Sequence, residues 1–220
     1  MPFTGFSPKT FAFLAALEKN NRREWWAEHK TEYIEYVKNP MTALSVELGH
    51  TFGTPHVFRP NRDIRFTPDK TPYKTNASFF ITAFGPGGLY LEITKNRLYI
   101  GGGIYEPMPE QLITWRKLFD APKRKIIKKF LYEVEKDDFL LIREGELKTA
   151  PRGWKKDHPE IEFLRLKHIA LGRGYDIEEW MMDGKAALKI LTADFEIIEK
   201  WNALLNKYVG SPKTEMMWSR

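Results

Sequence analysis

The sequence predicts an α+β fold, an antiparallel β-meander with helices packed on it and helical regions at both ends. Three observations carry that prediction. Residues 78–105 hold three short runs with strand character, broken by turn-forming residues. The residues before them repeat their apolar side chains at helical spacing, and so do the residues after them. Strands grouped between helical regions, rather than alternating with them, place the helices on a face of the sheet.

The first helix is predicted to start at Ser7-Pro8, since Ser caps well and Pro is tolerated at the first helical position. Phe11, Phe13, Leu14 and Leu17 give it an apolar face, and Asn20-Asn21 breaks it. A second helix runs from about Arg22 with Trp26, Tyr33 and Val37 on one stripe. Asn39-Pro40 ends or restarts it, because Pro lacks a donor and clashes with the preceding turn. Met41, Leu44 and Leu48 continue as a third helix.

In the centre, Ser78–Phe84 is rich in aromatic and β-branched residues, Leu89–Thr94 alternates, and Arg97–Tyr105 follows a Lys95-Asn96 turn. Gly85–Gly88 is a strong turn between the first two. Residues 62–66 are read as a further strand with Arg62, Ile64 and Phe66 on one face.

After Pro107, Leu112, Trp115 and Phe119 share a helical face, and Pro122 separates them from Lys125–Val134. Phe139–Leu147 fits either period, and Lys148–Pro159 reads as loop. Asp176 with Glu179 resembles a capping box opening a last helical region. That region carries Leu188, Leu191, Phe195, Ile198, Trp201, Leu204, Leu205 and Tyr208, with a break near Thr192 and a stop at Gly210-Ser211-Pro212. Buried positions are expected at Trp26, Tyr33, Leu44, Leu112, Trp115, Phe130, Phe195 and Trp201.

The chain has 220 residues, 42% apolar and 14% aromatic, enough for a substantial core. The expectation is a single domain over 1–220: helices at 1–55, a β-rich centre at 56–106, a mostly helical part at 107–210 and a tail at 211–220. With no cysteine, disulfides, thiol nucleophiles and Cys-ligated metals are excluded. Without an apolar run near ~18 residues or a signal-like N-terminus, no membrane is expected, and the reading is cytoplasmic. The net charge of +6 permits phosphate or nucleic-acid binding without requiring it.

The candidate site lies between Arg59 and Lys74. Five cations (Arg59, Arg62, Arg65, Lys70, Lys74) stand there against two carboxylates, Asp63 and Asp69, leaving an excess of three positive charges. Pro68 and Pro72 stiffen the turn around Asp69-Lys70-Thr71, which lowers the ordering cost of binding. Arg62 and Arg65 offer planar forks for carboxylate or phosphate, while Lys70 and Lys74 are point charges. Tyr73 can stack on a base or donate a hydrogen bond. Asp63 and Asp69 are the candidates for orienting the cations or moving protons; no catalytic residue is identified beyond them. Against this stands scaffolding, with Asp63 pairing Arg65 and Asp69 capping the turn.

Gly101, Gly102 and Gly103 are read as the wall of the same ligand site, giving space for close approach, against a bulge or a crossing helix. No Gly-Lys-Ser/Thr follows them, so they are not a phosphate loop. A secondary basic loop holds Lys148, Arg152, Trp154, Lys155 and Lys156, and is read as facing the first cluster or as a solvated connector. His158 beside Asp157 is either an oriented base or a solvated histidine. The five histidines show no metal-ligand spacing, so no metal is expected, and no cofactor motif is present.

Several stretches resemble a widespread family of conserved hypothetical proteins, the domain of unknown function 2461 family. They are Phe11-x-Phe13-Leu14 with Leu17; Asn20-Asn21-x-Arg23-x-Trp25-Trp26; and Arg62-Asp63-x-Arg65-Phe66-Thr67-x-Asp69-Lys70-Thr71-Pro72-Tyr73-Lys74-Thr75. Gly101-Gly102-Gly103-x-Tyr105-x-Pro107 and Leu147-Lys148-x-x-Pro151-x-Gly153-Trp154 complete the resemblance. It implies a shared site and brings no established activity.

Three functions compete on these residues. The leading one is binding of an anionic small molecule, with or without chemistry on it. The second is a nucleic-acid-binding accessory protein using the same cluster with the secondary loop. The third is a protein-interaction module meeting an acidic partner.

Overall fold

The computed structural model describes residues 2–65, 68–82 and 87–210. The Gly85-Pro86 part of the central turn, Phe66 and Thr67 of the charged segment, and the stop and tail from Ser211 lie outside the described residues.

The helices are α1 (Pro8–Lys19), α2 (Arg23–Tyr33), α3 (Asn39–Phe52), α4 (Pro109–Leu118), α5 (Arg124–Glu135), α6 (Ile161–Leu164) and α7 (Gly184–Tyr208). The strands are β1 (Thr54–Val57), β2 (Ala77–Thr82), β3 (Gly88–Ile93), β4 (Arg97–Ile104), β5 (Leu140–Leu141) and β6 (Ile169–Asp176). They form one six-stranded antiparallel sheet in the order β1-β2-β3-β4-β6-β5. The fold is therefore α+β, and the meander of β2, β3 and β4 stands where alternation and turns place it.

The chain divides into two compact units. One comprises Met1–Thr82, Tyr90–Ile100 and Gly174–Phe195; the other comprises Ala83–Leu89, Gly101–Arg173 and Glu196–Arg220.

In the first unit α3 packs on β1 and β2, and α1 and α2 pack on each other and on the turn that leads into α3. Ser7 caps α1, and its backbone N–H donates to Thr10 Oγ1 at 3.2 Å. Pro40 does not end the second helix. A π-helical turn, Ile34–Lys38, joins α2 to α3. Pro40 has no N–H for the Tyr36 carbonyl, and the wide turn relieves the ring clash. The Tyr36 carbonyl instead accepts from the buried Thr10 hydroxyl at 2.6 Å. Leu89, Leu91 and Ile93 point to one face of β3 and are buried, while Tyr90 and Glu92 occupy the other and are half-buried. Trp26, Tyr33, Leu44 and Phe195 are buried as expected.

Residues 62–65 are not a strand. Arg62 N–H donates to Pro72 O (2.9 Å) and Lys74 N–H to Pro60 O (2.8 Å), around a lone bridge between Asn61 and Tyr73. Prolines remove donors from both limbs, and Asp63 takes the Arg65 N–H locally, so no ladder extends. The edge of the sheet is β1 instead, with Thr54 opposite Thr82 and Val57 opposite Phe79.

In the second unit, Trp115 and Trp201 are fully buried at right angles, 6.0 Å apart, and Trp115 Nε1 donates to Phe163 O at 2.9 Å. Leu112 and Phe130 are half-buried rather than buried. Phe139–Leu147 contributes only β5, paired through Leu140 with Gly172.

Asp176 ends β6, and the short 3-10 helix Glu179–Met182 that follows is led by Glu178, not by Asp176. The cap of α7 is Asp183, whose carboxylate accepts from the N–H groups of Lys185 (2.8 Å) and Ala186 (2.9 Å). The helix then runs without a break through Thr192, since nothing there removes a donor. Gly210, at φ 84°, closes its end by donating to Leu205 O.

Candidate functional site

An open cleft of about 480 Å³ lies in the first unit, lined by Phe58, Arg62, Asp63, Lys74, Thr75, Asn76, Ser78 and Tyr90. Its floor is the polar face of the sheet, from Ser78 on β2 and Tyr90 on β3. Its wall is the charged segment, which two anchors hold down. Asn21 uses both ends of its amide on the Tyr73 backbone, donating from Nδ2 to the carbonyl (2.8 Å) and accepting the N–H at Oδ1 (3.1 Å). The Tyr73 ring is buried flat against Trp26, with centroids 4.1 Å apart at 13°. The Asn20-Asn21 break between α1 and α2 thus reaches across the sequence to fix this loop.

The cations of the segment fall into two sets. Arg65 is 73% exposed and grips Asp63 through Nε (3.0 Å) and a terminal nitrogen (2.7 Å). The Arg65 guanidinium, helped by its backbone N–H, holds the Asp63 carboxyl well below the usual carboxylate range. Lys70 donates to Ile64 O at 2.8 Å and braces the loop. Asp69 accepts from the Thr71 N–H (2.9 Å) and hydroxyl (2.7 Å), and these bonds, with Arg62 beyond them, lower its pKa. Both carboxylates therefore stay ionised near neutral pH and act as anchors, not as proton donors.

Arg62 and Lys74 are different, because they line the cleft. Arg62 touches Asp69 through one terminal nitrogen, while its buried Nε–H has no acceptor among the described residues. Lys74 has its ammonium 5.2 Å from the centre of the Phe58 ring and no carboxylate partner among the described residues. Burial lowers its pKa first, and repulsion from Arg59 and Arg62 lowers it further. Beneath them, Asn76 Nδ2 donates to Glu92 Oε2 at 2.6 Å, and the Tyr90 hydroxyl donates to the same oxygen at 2.8 Å.

Of the ligand residues read from the sequence, the cleft brings together Arg62 and Lys74, with Asp63 beside them. Arg65 and Lys70 are turned to the loop itself, and Tyr73 is spent on Trp26. Phe58, Thr75, Asn76, Ser78 and Tyr90 were not anticipated. Thr75 was visible as the end of the charged motif, and Ser78 and Tyr90 as the polar positions of alternating strands.

Gly101, Gly102 and Gly103 belong to the second unit and are not among the lining residues. A side chain on Gly102 would run into Ile198 of α7 and the Gly88 carbonyl. One on Gly103, at φ 118°, would come within 2.8 Å of Ala170 Cα and 2.9 Å of Trp201 Nε1. The space they leave is filled by a crossing helix and a neighbouring strand.

In the secondary loop, Lys148, Arg152, Lys155 and Lys156 are exposed. Trp154 packs edge-on to His158 at 5.6 Å. The carboxylate on His158 is Asp120 (2.9 Å), not Asp157, and the other ring nitrogen accepts the Glu160 N–H (3.1 Å). Its orientation is structural. Among the described residues no cluster of three or more His, Asp or Glu is placed to hold a metal, and no helix is long and apolar enough to cross a membrane.

The family model described as "Conserved hypothetical protein (DUF2461)" matches residues 9–203. The chain belongs to this family. The matched span includes the whole cleft lining and the Asn21–Tyr73 anchor. No curated protein matches the chain.

Proposed function

We propose that the protein binds an anionic small molecule in the Arg62–Lys74 cleft, in the cytoplasm. Lys74 is the observation that carries this reading. It is a cation drawn into a concave, partly desolvated site beside two arginines, at a cost visible in its lowered pKa. A lysine needed only for solubility would stay in water. An anion seated on Lys74 Nζ, beside the Arg62 side chain that also lines the cleft, would offset the repulsion between these cations. The cleft volume falls in the range of small-molecule sites, roughly 300–1,000 Å³.

Titration of the protein with phosphate at low ionic strength tests the reading. Saturable binding that Lys74→Met weakens at least tenfold, with the melting temperature little changed, is the expected result. Absence of binding by phosphate, organic phosphates and carboxylates would overturn it. Affinity that appears only with oligonucleotides and grows with their length would replace the small molecule by a nucleic acid.

A further inference from the structure

We infer that the ligand of this cleft is a sugar phosphate, a phosphate ester whose neutral body carries several hydroxyl groups. The inference rests on the anion reading above and names the rest of the molecule.

The first observation is Ser78. β2 sends Phe79 and Ile81 into the core, so Ser78 points to the opposite face of the sheet, the floor of the cleft. The residue is only 5% exposed. Its hydroxyl has no hydrogen-bond partner among the described residues, yet it is not sealed off, so what remains accessible of it opens to the cleft it lines. The hydroxyl of Thr75, a half-buried lining residue, stands in the same condition. Each of these groups both donates and accepts, as the hydroxyls of a sugar do.

The second observation is where Ser78 sits relative to the cation. The Phe58 N–H donates to Ser78 O at 3.0 Å, one step beyond the Val57–Phe79 pair, so Phe58 and Ser78 stand opposite each other on one face of the sheet edge. The Lys74 ammonium lies 5.2 Å from the centre of the Phe58 ring. Cation, ring and hydroxyl are therefore consecutive neighbours, within the span of one small molecule.

These neighbours select among anions. Inorganic phosphate on Lys74 would leave the Phe58 ring and the Ser78 hydroxyl unused. An aromatic body laid along the floor would strip water from that hydroxyl and give it no partner, which is costly. A second anionic group would meet Asp63, which lines the cleft as a carboxylate. A sugar answers all three constraints: its C–H face lies on Phe58, and its hydroxyls meet Ser78, Thr75 and Asp63.

Calorimetric titration of the full chain with inorganic phosphate, phenyl phosphate, ribose 5-phosphate and glucose 6-phosphate tests this. At least one sugar phosphate is expected to bind about tenfold or more tighter than both inorganic phosphate and phenyl phosphate. Ser78→Ala, which removes one oxygen and little volume, should cut that ratio to about threefold or less. If neither sugar phosphate exceeds both reference anions, sugar recognition is overturned while the anion site stands. If the ratio survives Ser78→Ala, the inference falls as well. If none of the four binds, both readings fall. The ratios are taken within one protein at a time, so a loss of folded material in the variant does not imitate the expected result.

Discussion

Two loops of this protein have almost the same chemistry and different physical standing. Both the 59–76 segment and the 148–159 segment are stiffened by proline and carry several cations around an aromatic residue. In the first, Tyr73 is clamped by Asn21 and Trp26, and Lys74 is half-buried. In the second, the cations Lys148, Arg152, Lys155 and Lys156 stay exposed, and Trp154 lies against His158. Charge count alone does not make an anion site. Concavity and desolvation do, because a charge in lower dielectric is both costlier and more strongly attracted to a counter-charge.

The largest test of this contrast is Trp26→Ala. It removes a buried aromatic and the floor under Tyr73, and should cost about 3–5 kcal/mol in urea unfolding. Anion affinity should fall with it. A variant that loses that stability yet binds phosphate normally would break the link between the clamp and the cleft.

Next is Asn21→Ala, which leaves the Tyr73 N–H and carbonyl unpaired and should cost about 1–3 kcal/mol. Asn21→Asp should restore part of this, since it keeps the acceptor and loses the donor.

The third test is pH. Lys74 holds its proton less tightly folded than unfolded, so between its lowered pKa and the ordinary 10.5 the unfolded chain binds more protons. Stability gains a contribution as pH rises through that window, and Lys74→Met should remove it. Tyr33 acts in the opposite sense. Burial pushes its hydroxyl up to about 12, so from its ordinary 10.0 upward the unfolded chain ionises first and stability falls. Tyr33→Phe should flatten that fall in unfolding free energies measured across the range.

The smallest effect is expected at the second loop. Lys148→Ala with Lys155→Ala should stay within about ±0.5 kcal/mol and leave phosphate binding unchanged. Tenfold weaker binding in that double variant would erase the distinction between the loops.

The sheet was legible wherever one face alternates. Leu89, Leu91 and Ile93 against Tyr90 and Glu92 leave little choice, and turn residues bound the run. Three strands were not legible. β1 is four residues with a proline, β5 is two residues, and β6 is interrupted by Gly172 and Gly174. The helix caps were legible at Ser7 and misread at Asp176, because Asp183 lies just beyond and offers the same chemistry. The site was half legible. Density of charge marks the Arg62–Lys74 segment, but composition does not say that Arg65 is consumed by Asp63 while Lys74 is not. That depends on a tight local turn in one case and a sheet face in the other. Asn76 carries no signal at all until Glu92 is opposite it.

The Asn21 amide imitates one rung of a β-ladder, using a side chain where a strand would use backbone. It joins positions 52 residues apart, so the order of the cleft wall is leased from the junction of the first two helices. If that junction frays, the Tyr73 N–H is released to solvent while the sheet beneath stays paired. Amide exchange at Tyr73 should then follow the opening of α1 and α2 and not that of the strands, and ligand occupancy should slow it. A mobile N-terminus would in this way set how often the cleft exists.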